Sequence, residues 1–180
     1  MRSGGYRERS AFEYFDNGRW PLAIIISVLA LLATFYQLYL QRVHNEKSLR
    51  PLGQVDLIDI NNQVSVRVVN NGMGPMIVNR LTFFKEGNSY TNIEDCLTLD
   101  PRSYQRIPVN ETLQKVILPN ASLDVFAAEL APFEEEFQLE NVRKELAPIT
   151  LRVHYRDIYD NQFTSERNLE WFSRYDRGLD

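Results

Sequence analysis

Residues 20–40 are a largely apolar run near the start of the chain, with no Asp, Glu, Lys or Arg among them. A helix rises about 1.5 Å per residue, so a helix of this length covers a bilayer core of roughly 30 Å. Trp20 and Tyr39 place amphipathic rings near its ends, as is typical of membrane interfaces. The run predicts a transmembrane helix. A cleaved secretion signal is the alternative, but the run exceeds a signal core and no small-residue cleavage pattern follows it.

Beyond this run the apolar spacing changes from continuous to alternating. In the stretch QVSVRVV, Val64, Val66 and Val68 share one side while Ser65 and Arg67 lie on the other. This alternation predicts a strand with one buried face. Further alternating runs follow at short intervals, separated by residues that favour turns. Many short strands at this spacing predict an antiparallel β-sandwich or a small barrel.

One stretch between the predicted strands has the features of a helix. PFEEEFQLENVRKEL, residues 132–146, begins with Pro and three Glu, carries two basic residues near its end and is followed by Pro148. These positions complement the helix dipole and mark both ends. Leu139, Val142 and Leu146 share one face of this predicted helix.

The patterns together divide the chain into four segments. We expect residues 1–19 to be a flexible N-terminal tail, 20–40 a transmembrane helix, 41–50 a linker and 51–180 a β-sandwich domain.

A glycine-rich loop, NNGMGP, separates two of the predicted strands. Gly72 and Gly74 are expected to supply positive φ to a chain reversal, and Pro75 to end it. The loop has no Lys of the kind that phosphate-binding loops carry, and no helix follows it. It therefore predicts a turn and not a ligand site.

Two motifs resemble a pattern found in uncharacterised bacterial single-pass membrane proteins. The first is an Asn-x-Gly-x-Gly-Pro turn, occupied in this chain by Asn70, Gly72, Gly74 and Pro75. The second is a Tyr-x-Asp-x-Tyr hairpin, occupied by Tyr155, Asp157 and Tyr159. The resemblance covers roughly residues 51–168 and implies an immunoglobulin-like sandwich, with no activity to carry over. Asp160 departs from the pattern, because it stands where Gly is expected in the hairpin turn.

Composition and charge narrow the setting of the protein. The formal net charge is −4, so we expect no nucleic acid polymer as a partner. The single Cys96 cannot form an internal disulfide, which fits a bacterial compartment better than a eukaryotic cell surface.

Lys and Arg near the apolar run bear on its orientation, because cytoplasmic flanks carry the excess of these residues. The N-terminal flank has one more, with Arg2, Arg7, Arg9 and Arg19 before the run and Arg42, Lys47 and Arg50 after it. We therefore expect a bacterial inner-membrane protein whose C-terminal domain is periplasmic rather than cytoplasmic.

The inventory of reactive side chains does not predict an enzyme. The chain has two His and one Cys, and Cys96 is expected to be a buried, inert thiol beside acidic residues. Asp157, Asp160 and Asn161 are possible calcium ligands, but the twelve-residue loop signature is absent, and we interpret them as the residues of a hairpin turn. We expect no catalytic residues, no metal site and no cofactor.

A ladder of basic residues is the strongest candidate for a binding surface. Arg152, His154 and Arg156 alternate along one strand, and Arg67 is expected to join them from another. Neighbouring cations on a sheet repel unless an anion lies between them. The ligand is then a nucleotide, a lipid headgroup or an acidic partner. The alternative is a solvated face whose charges pair with nearby acids such as Glu166.

A stripe of small and polar residues runs along the apolar helix. It consists of Ala23, Ser27, Ala30, Thr34 and Gln37. Small residues permit close approach of helix backbones, and an amide in lipid favours a polar partner. The stripe predicts association between helices; an accidental pattern on a monomeric anchor is the alternative.

These observations predict a membrane-anchored β-sandwich that acts as a binding module without enzymatic activity. Its expected partners are the lipid bilayer, another protein or a second copy through the helix, and an anionic small ligand at the basic ladder. The alternative is a bacterial defence sensor-effector, in which a cytoplasmic β-domain binds a nucleotide signal and clustered transmembrane helices disrupt the membrane.

Overall fold

The computed structural model describes residues 19–60, 62–110, 112–129 and 136–178. The chain divides into two compact units, Met1–Asn45 and Glu46–Asp180. Most of the predicted N-terminal tail lies outside the described residues.

The first element is one long helix, α1, at Arg19–Ser48. It continues past the predicted span through most of residues 41–50, the segment interpreted as a linker. No Gly or Pro interrupts the helix there, and the first such residue is Pro51. The apolar side chains of α1 are exposed, whereas a helix of a soluble core buries its apolar surface. Among the described residues, α1 is the one helix long and apolar enough to cross a membrane.

The second unit is built from nine described strands, a helix and two 3₁₀ segments. The strands are β1 Gly53–Ile60, β2 Gln63–Asn70, β3 Met76–Lys85, β4 Asn88–Tyr90, β5 Gln105–Arg106, β6 Lys115–Ile117, β7 Ser122–Glu129, β8 Thr150–Arg156 and β9 Gln162–Asn168. Helix α2, Glu136–Leu146, lies between β7 and β8, and the 3₁₀ segments are Ile93–Cys96 and Glu170–Gly178.

The strands form two antiparallel sheets. The first sheet has the order β1-β2-β7-β5, and the second has the order β4-β3-β8-β9 with β6 also paired to β3. In the immunoglobulin fold one sheet has the order A-B-E-D and the other contains C, F and G. The strands of this domain occupy those places, and β4 takes the place of C′. The predicted mainly β fold with one inserted helix is therefore confirmed, with α2 in the connection between the E and F strands.

Alternation along the strands creates the core. Val64, Val66 and Val68 of β2 are buried, as are Leu151 and Val153 of β8, so the inner faces of the two sheets share one core.

Helix α2 packs on the end of this core with the face that the sequence predicts. Leu139, Val142 and Leu146 are buried, whereas Phe137 is 72% exposed. The predicted start of this helix falls in residues 130–135, which lie outside the described part of the chain.

The glycines of the NNGMGP loop are required by close packing. Neither Gly72 nor Gly74 has a positive φ, so the expectation of a left-handed turn was wrong. A Cβ atom on Gly74 would lie 1.7 Å from the carbonyl oxygen of Leu49, and one on Gly72 would lie 2.4 Å from the backbone nitrogen of Leu52. The segment that leads into β1 passes directly against the loop, and only glycine leaves room for it.

The side chain of Asn70 holds this loop in place. It is fully buried; its Nδ2 donates to the carbonyl oxygens of Gly74 at 2.8 Å and Ile117 at 3.1 Å. Its Oδ1 accepts from the backbone N–H of Leu52 at 3.2 Å and of Gly72 at 3.0 Å. One amide therefore joins three segments of the chain and leaves its own polar atoms satisfied.

An arginine bridges the two sheets on the side where β1 and β9 are the edge strands. Arg167 of β9 pairs with Leu151 and therefore projects toward the core side. Its Nη1 donates to the carbonyl oxygen of Val55 on β1. The edge of the first sheet is thus bonded to a side chain from the second.

A basic face on the second sheet

The outer face of the second sheet carries the basic ladder of β8. Arg152, His154 and Arg156 project to this face, since the residues between them are buried in the core. The structure places these three side chains on one surface, in the order that the sequence predicts.

Arg80 joins this basic face from β3, a residue that the sequence analysis missed. It pairs directly with His154, because a β-bulge between Val78 and Arg80 shifts the register. Without that bulge, alternation from Val78 would direct Arg80 toward the core. The signal in the sequence is the spacing of the apolar residues that the strand buries. Val78 and Leu81 are three positions apart, whereas the other buried residues of β3 are two apart.

Arg67 does not belong to this basic face. It lies on β2, which is part of the first sheet, and it projects from the outer side of that sheet. Because the two sheets pack through their inner faces, their outer faces point in opposite directions. Arg67 instead pairs with Asp124 and lies opposite Asp56 on the neighbouring strand. The expectation that Arg67 joins the ladder was wrong, since the sequence gives no information on which sheet a strand enters.

Two carboxylates lie among the cations of the basic face. Nε of Arg152 donates to Oε2 of Glu166 at 2.6 Å, and Arg156 pairs with Asp160 in the hairpin turn. The pairing of a local acid such as Glu166 was predicted by the alternative interpretation, a solvated face. The guanidinium of Arg152 also lies 4.7 Å from the ring centroid of Phe84, a cation–π contact that fixes its position.

The arginines of the basic face act on His154. Its pKa lies below the usual value, first because of partial burial and then because of the charges of Arg80 and Arg152. The neutral imidazole is therefore favoured in the free protein. An anion held beside it would oppose the charges of Arg80 and Arg152 and so raise the pKa.

The hairpin between β8 and β9 supports the basic face. Asp157 is buried; its Oδ1 accepts from the N–H groups of Tyr159 at 2.8 Å and Asn161 at 2.9 Å. This confirms that Asp157 is a turn residue. Asp160 has φ of 65°, the left-handed conformation that favours glycine, which explains the expectation of Gly at this position. In that conformation Asp160 presents its carboxylate to Arg156.

The reactive groups examined from the sequence occupy ordinary structural positions. Cys96 is buried, and burial raises its pKa to about 11, with the charge of Lys85 lowering it and that of Asp95 raising it. The thiol therefore stays protonated at neutral pH. Within the described segments, no three His, Cys, Asp or Glu side chains are placed to hold a metal ion together.

The hydroxyls of the α1 stripe bond to their own helix. Ser27 Oγ donates to the carbonyl oxygen of Ala23 at 2.8 Å, and Thr34 Oγ1 donates to that of Ala30 at 2.9 Å. These two side chains need no partner from a second helix. The small side chains of Ala23 and Ser27 line a shallow depression on the surface of α1.

No known family model matches the chain, and no curated protein matches its sequence.

Proposed function

We propose that this protein is a membrane-anchored binding module without enzymatic activity, in which α1 spans the bilayer and the basic face holds an anionic group. One observation carries the proposal: Arg80, Arg152 and Arg156 surround His154 on a single exposed sheet face. Arginine is well suited to carboxylate and phosphate oxygens, because its planar guanidinium offers paired donors.

The spacing of the basic face favours a ligand with more than one charged oxygen group. Residues two apart on a strand are separated by about 6.7 Å, so Arg152 and Arg156 lie roughly 13 Å apart along β8. A single small ion contacts only part of this length. A diphosphate, or an acidic segment of a protein, reaches His154 and an arginine on either side of it.

The test is calorimetric titration of the full-length protein in nanodiscs of phosphatidylcholine, with inorganic pyrophosphate and an oligoglutamate peptide as separate probes. We expect at least one probe to bind. The double variant Arg80→Gln, Arg152→Gln should weaken that binding more than tenfold, since one bond between charged groups contributes roughly 1.5–3 kcal/mol.

Arg67→Gln is the matched control, because Arg67 is also paired with an acid on an outer sheet face but lies on the other sheet. It should leave the affinity unchanged. If neither probe binds, or if Arg67→Gln weakens binding as much as the double variant, the basic face is not the binding surface.

We also propose that the protein resides in the bacterial inner membrane, with the sandwich in the periplasm and α1 associating with another helix through its stripe. The small flank difference in Lys and Arg supports this orientation. A cytoplasmic sandwich would instead give the basic face access to nucleotides and favour the sensor-effector.

A further inference from the structure

Four connections meet at one end of the sandwich, the end at which the chain joins β1. They are residues 49–52, the loop 71–75, the turn 118–121 and the hairpin turn 157–161. We call this the linker end.

Hydrogen bonds show that the linker end is one surface. The N–H of Asn71 donates to the carbonyl oxygen of Leu52 at 2.9 Å, and that of Asn120 donates to Asn70 at 2.9 Å. The N–H of Gly53 donates to the hydroxyl of Tyr155, next to the hairpin, at 3.1 Å. The backbone of these connections is therefore fixed by the fold.

Each connection at the linker end presents a large apolar side chain to solvent. The exposed fractions are 58% for Leu52, 73% for Met73, 61% for Leu118, 48% for Ile158 and 40% for Tyr159. Isolated exposed apolar residues are common, but turn tips are usually polar, and apolar tips gathered at one end indicate an interaction surface.

The opposite end of the sandwich differs in the part that the structure describes. Its exposed large apolar side chains are Ile60, Phe137 and Trp171. Trp171 has the guanidinium of Arg174 at 3.3 Å from its ring centroid. Ile60 is the last residue of β1, whereas Phe137 lies on α2.

Chain connectivity identifies the occupant. Helix α1 ends at Ser48 and β1 begins at Gly53, so four residues link them, with a reach of about 14 Å at most. Residues 41–48 extend the helix beyond its apolar run by about 12 Å. The surface closest to the linker end along the chain is therefore the bilayer that α1 spans in the proposed function.

The chemistry of the linker end also fits a bilayer surface. Tyr159 is an aromatic residue with a polar tip, the type enriched at membrane interfaces. Arg50 belongs to the connection 49–52, and its guanidinium lies 4.5 Å from the ring centroid of Phe163. A fixed cation among apolar tips matches lipid phosphates above acyl chains.

We propose that the linker end of the sandwich docks into the interfacial layer of the bilayer, with Leu52, Met73, Leu118, Ile158 and Tyr159 inserted among the lipid headgroups. This inference rests on the proposed membrane span of α1.

The test places a single fluorescent label on full-length protein carrying Cys96→Ser and reconstituted in vesicles of phosphatidylcholine and phosphatidylglycerol. Labels go to Met73→Cys or Ile158→Cys at the linker end. Ile60→Cys is the matched control, because Ile60 is an exposed apolar residue at the last position of β1, at the other end. We expect brominated lipids to quench the first two labels and aqueous iodide to quench the control label.

A second variant tests the contribution of the apolar tips themselves. Met73→Asp together with Leu118→Asp should lower the lipid quenching of the label at position 158 by roughly twofold or more, because charged tips no longer partition into the interface. Ile60→Asp should leave it unchanged.

The outcomes separate this inference from the proposed function. If alkaline carbonate releases the protein from the vesicles, α1 is not an anchor and the proposed function fails. If the protein is retained while iodide quenches the label at position 73 as strongly as the label at position 60, the docking inference alone is overturned.

Discussion

At the scale of single residues, His154 is the natural reporter of the basic face. Burial and the charges of Arg80 and Arg152 lower its pKa, and Arg156, Glu166 and Asp160 are the other charged groups around it. Since the folded pKa lies below the unfolded value of about 6.5, stability is complete above that pH and falls as the pH drops through the folded pKa.

We therefore expect Arg80→Gln to raise the pKa of His154 and Glu166→Gln to lower it, as followed by imidazole NMR signals of the full-length protein. A bound anion should also raise it. Arg67→Gln should leave it unchanged, because Arg67 lies on the other sheet. Identical titration curves for all these proteins would show that the cations do not act on this imidazole.

Asn70 is the residue whose replacement should most disturb the linker end. Asn70→Asp keeps the shape of the side chain but removes the donor to Gly74 and Ile117 and places a carboxylate in a fully buried position. We expect a loss of about 3 kcal/mol or more in the free energy of unfolding. Asn71→Asp, at an exposed neighbour, should change it little. Urea unfolding followed by tryptophan fluorescence compares the two, and equal losses would contradict this account.

At the scale of elements, the docking of α2 depends on Glu145. Its carboxylate accepts from the hydroxyl of Thr98 and from Nζ of Lys85, the latter at 3.2 Å, and so joins the helix to β3 and to the loop after Cys96. Burial alone would raise the pKa of Glu145, but these hydrogen bonds and the charge of Lys85 lower it overall. The contribution is therefore present above the ordinary carboxyl pKa and is lost as the pH falls through the lower folded value.

We expect Glu145→Gln to lower the free energy of unfolding by about 1 kcal/mol at neutral pH. When the pH falls, the free energy of unfolding of this variant should decrease less than that of the unchanged protein. Glu140→Gln is the control, because Glu140 pairs with Lys144 on an exposed part of α2. Thermal melts between neutral and acidic pH measure both. If acidification lowers the stability of Glu145→Gln as much as that of the unchanged protein, this carboxylate does not hold α2.

Helix α1 makes a separate prediction about association. Because Ser27 and Thr34 bond to their own backbone, close packing at Ala23 and Ala30 must supply most of the attraction, with about 1 kcal/mol from Gln37. Ala30→Ile and Gln37→Leu should each weaken association in a membrane dimerisation reporter. Leu29→Ile, on another face, should not. Equal signals in all three would make the stripe accidental.

The elements also show which features a sequence can predict. Alternation predicted β2 and β8 because their buried faces have strict period two, and end signals predicted α2. The bulge at Val78 and Arg80 escaped, since one extra residue on a strand carries no composition signal of its own. Gly72 and Gly74 were assigned the wrong cause, because their requirement comes from Leu49 and Leu52, more than fifteen residues earlier in the chain.

At the scale of the whole molecule, orientation decides which ligands the basic face can meet. On the excess of one basic residue before α1, we expect a cytoplasm-dependent reporter fused after Asp180 to be silent and an export-dependent reporter at the same position to be active. The reverse result would place the sandwich in the cytoplasm and favour the sensor-effector.

The arginine that joins β9 to β1 has a consequence for copies that the proposed anchor would hold in one membrane. Confinement to a plane makes lateral collisions frequent, and exposed strand edges are the surfaces through which sheets fuse into aggregates. Arg167 occupies the carbonyl group of Val55 that a foreign strand would otherwise use, and it also pairs with Asp56 of the same strand at 3.9 Å. We therefore expect that copies of the domain that meet on this side do not exchange strands.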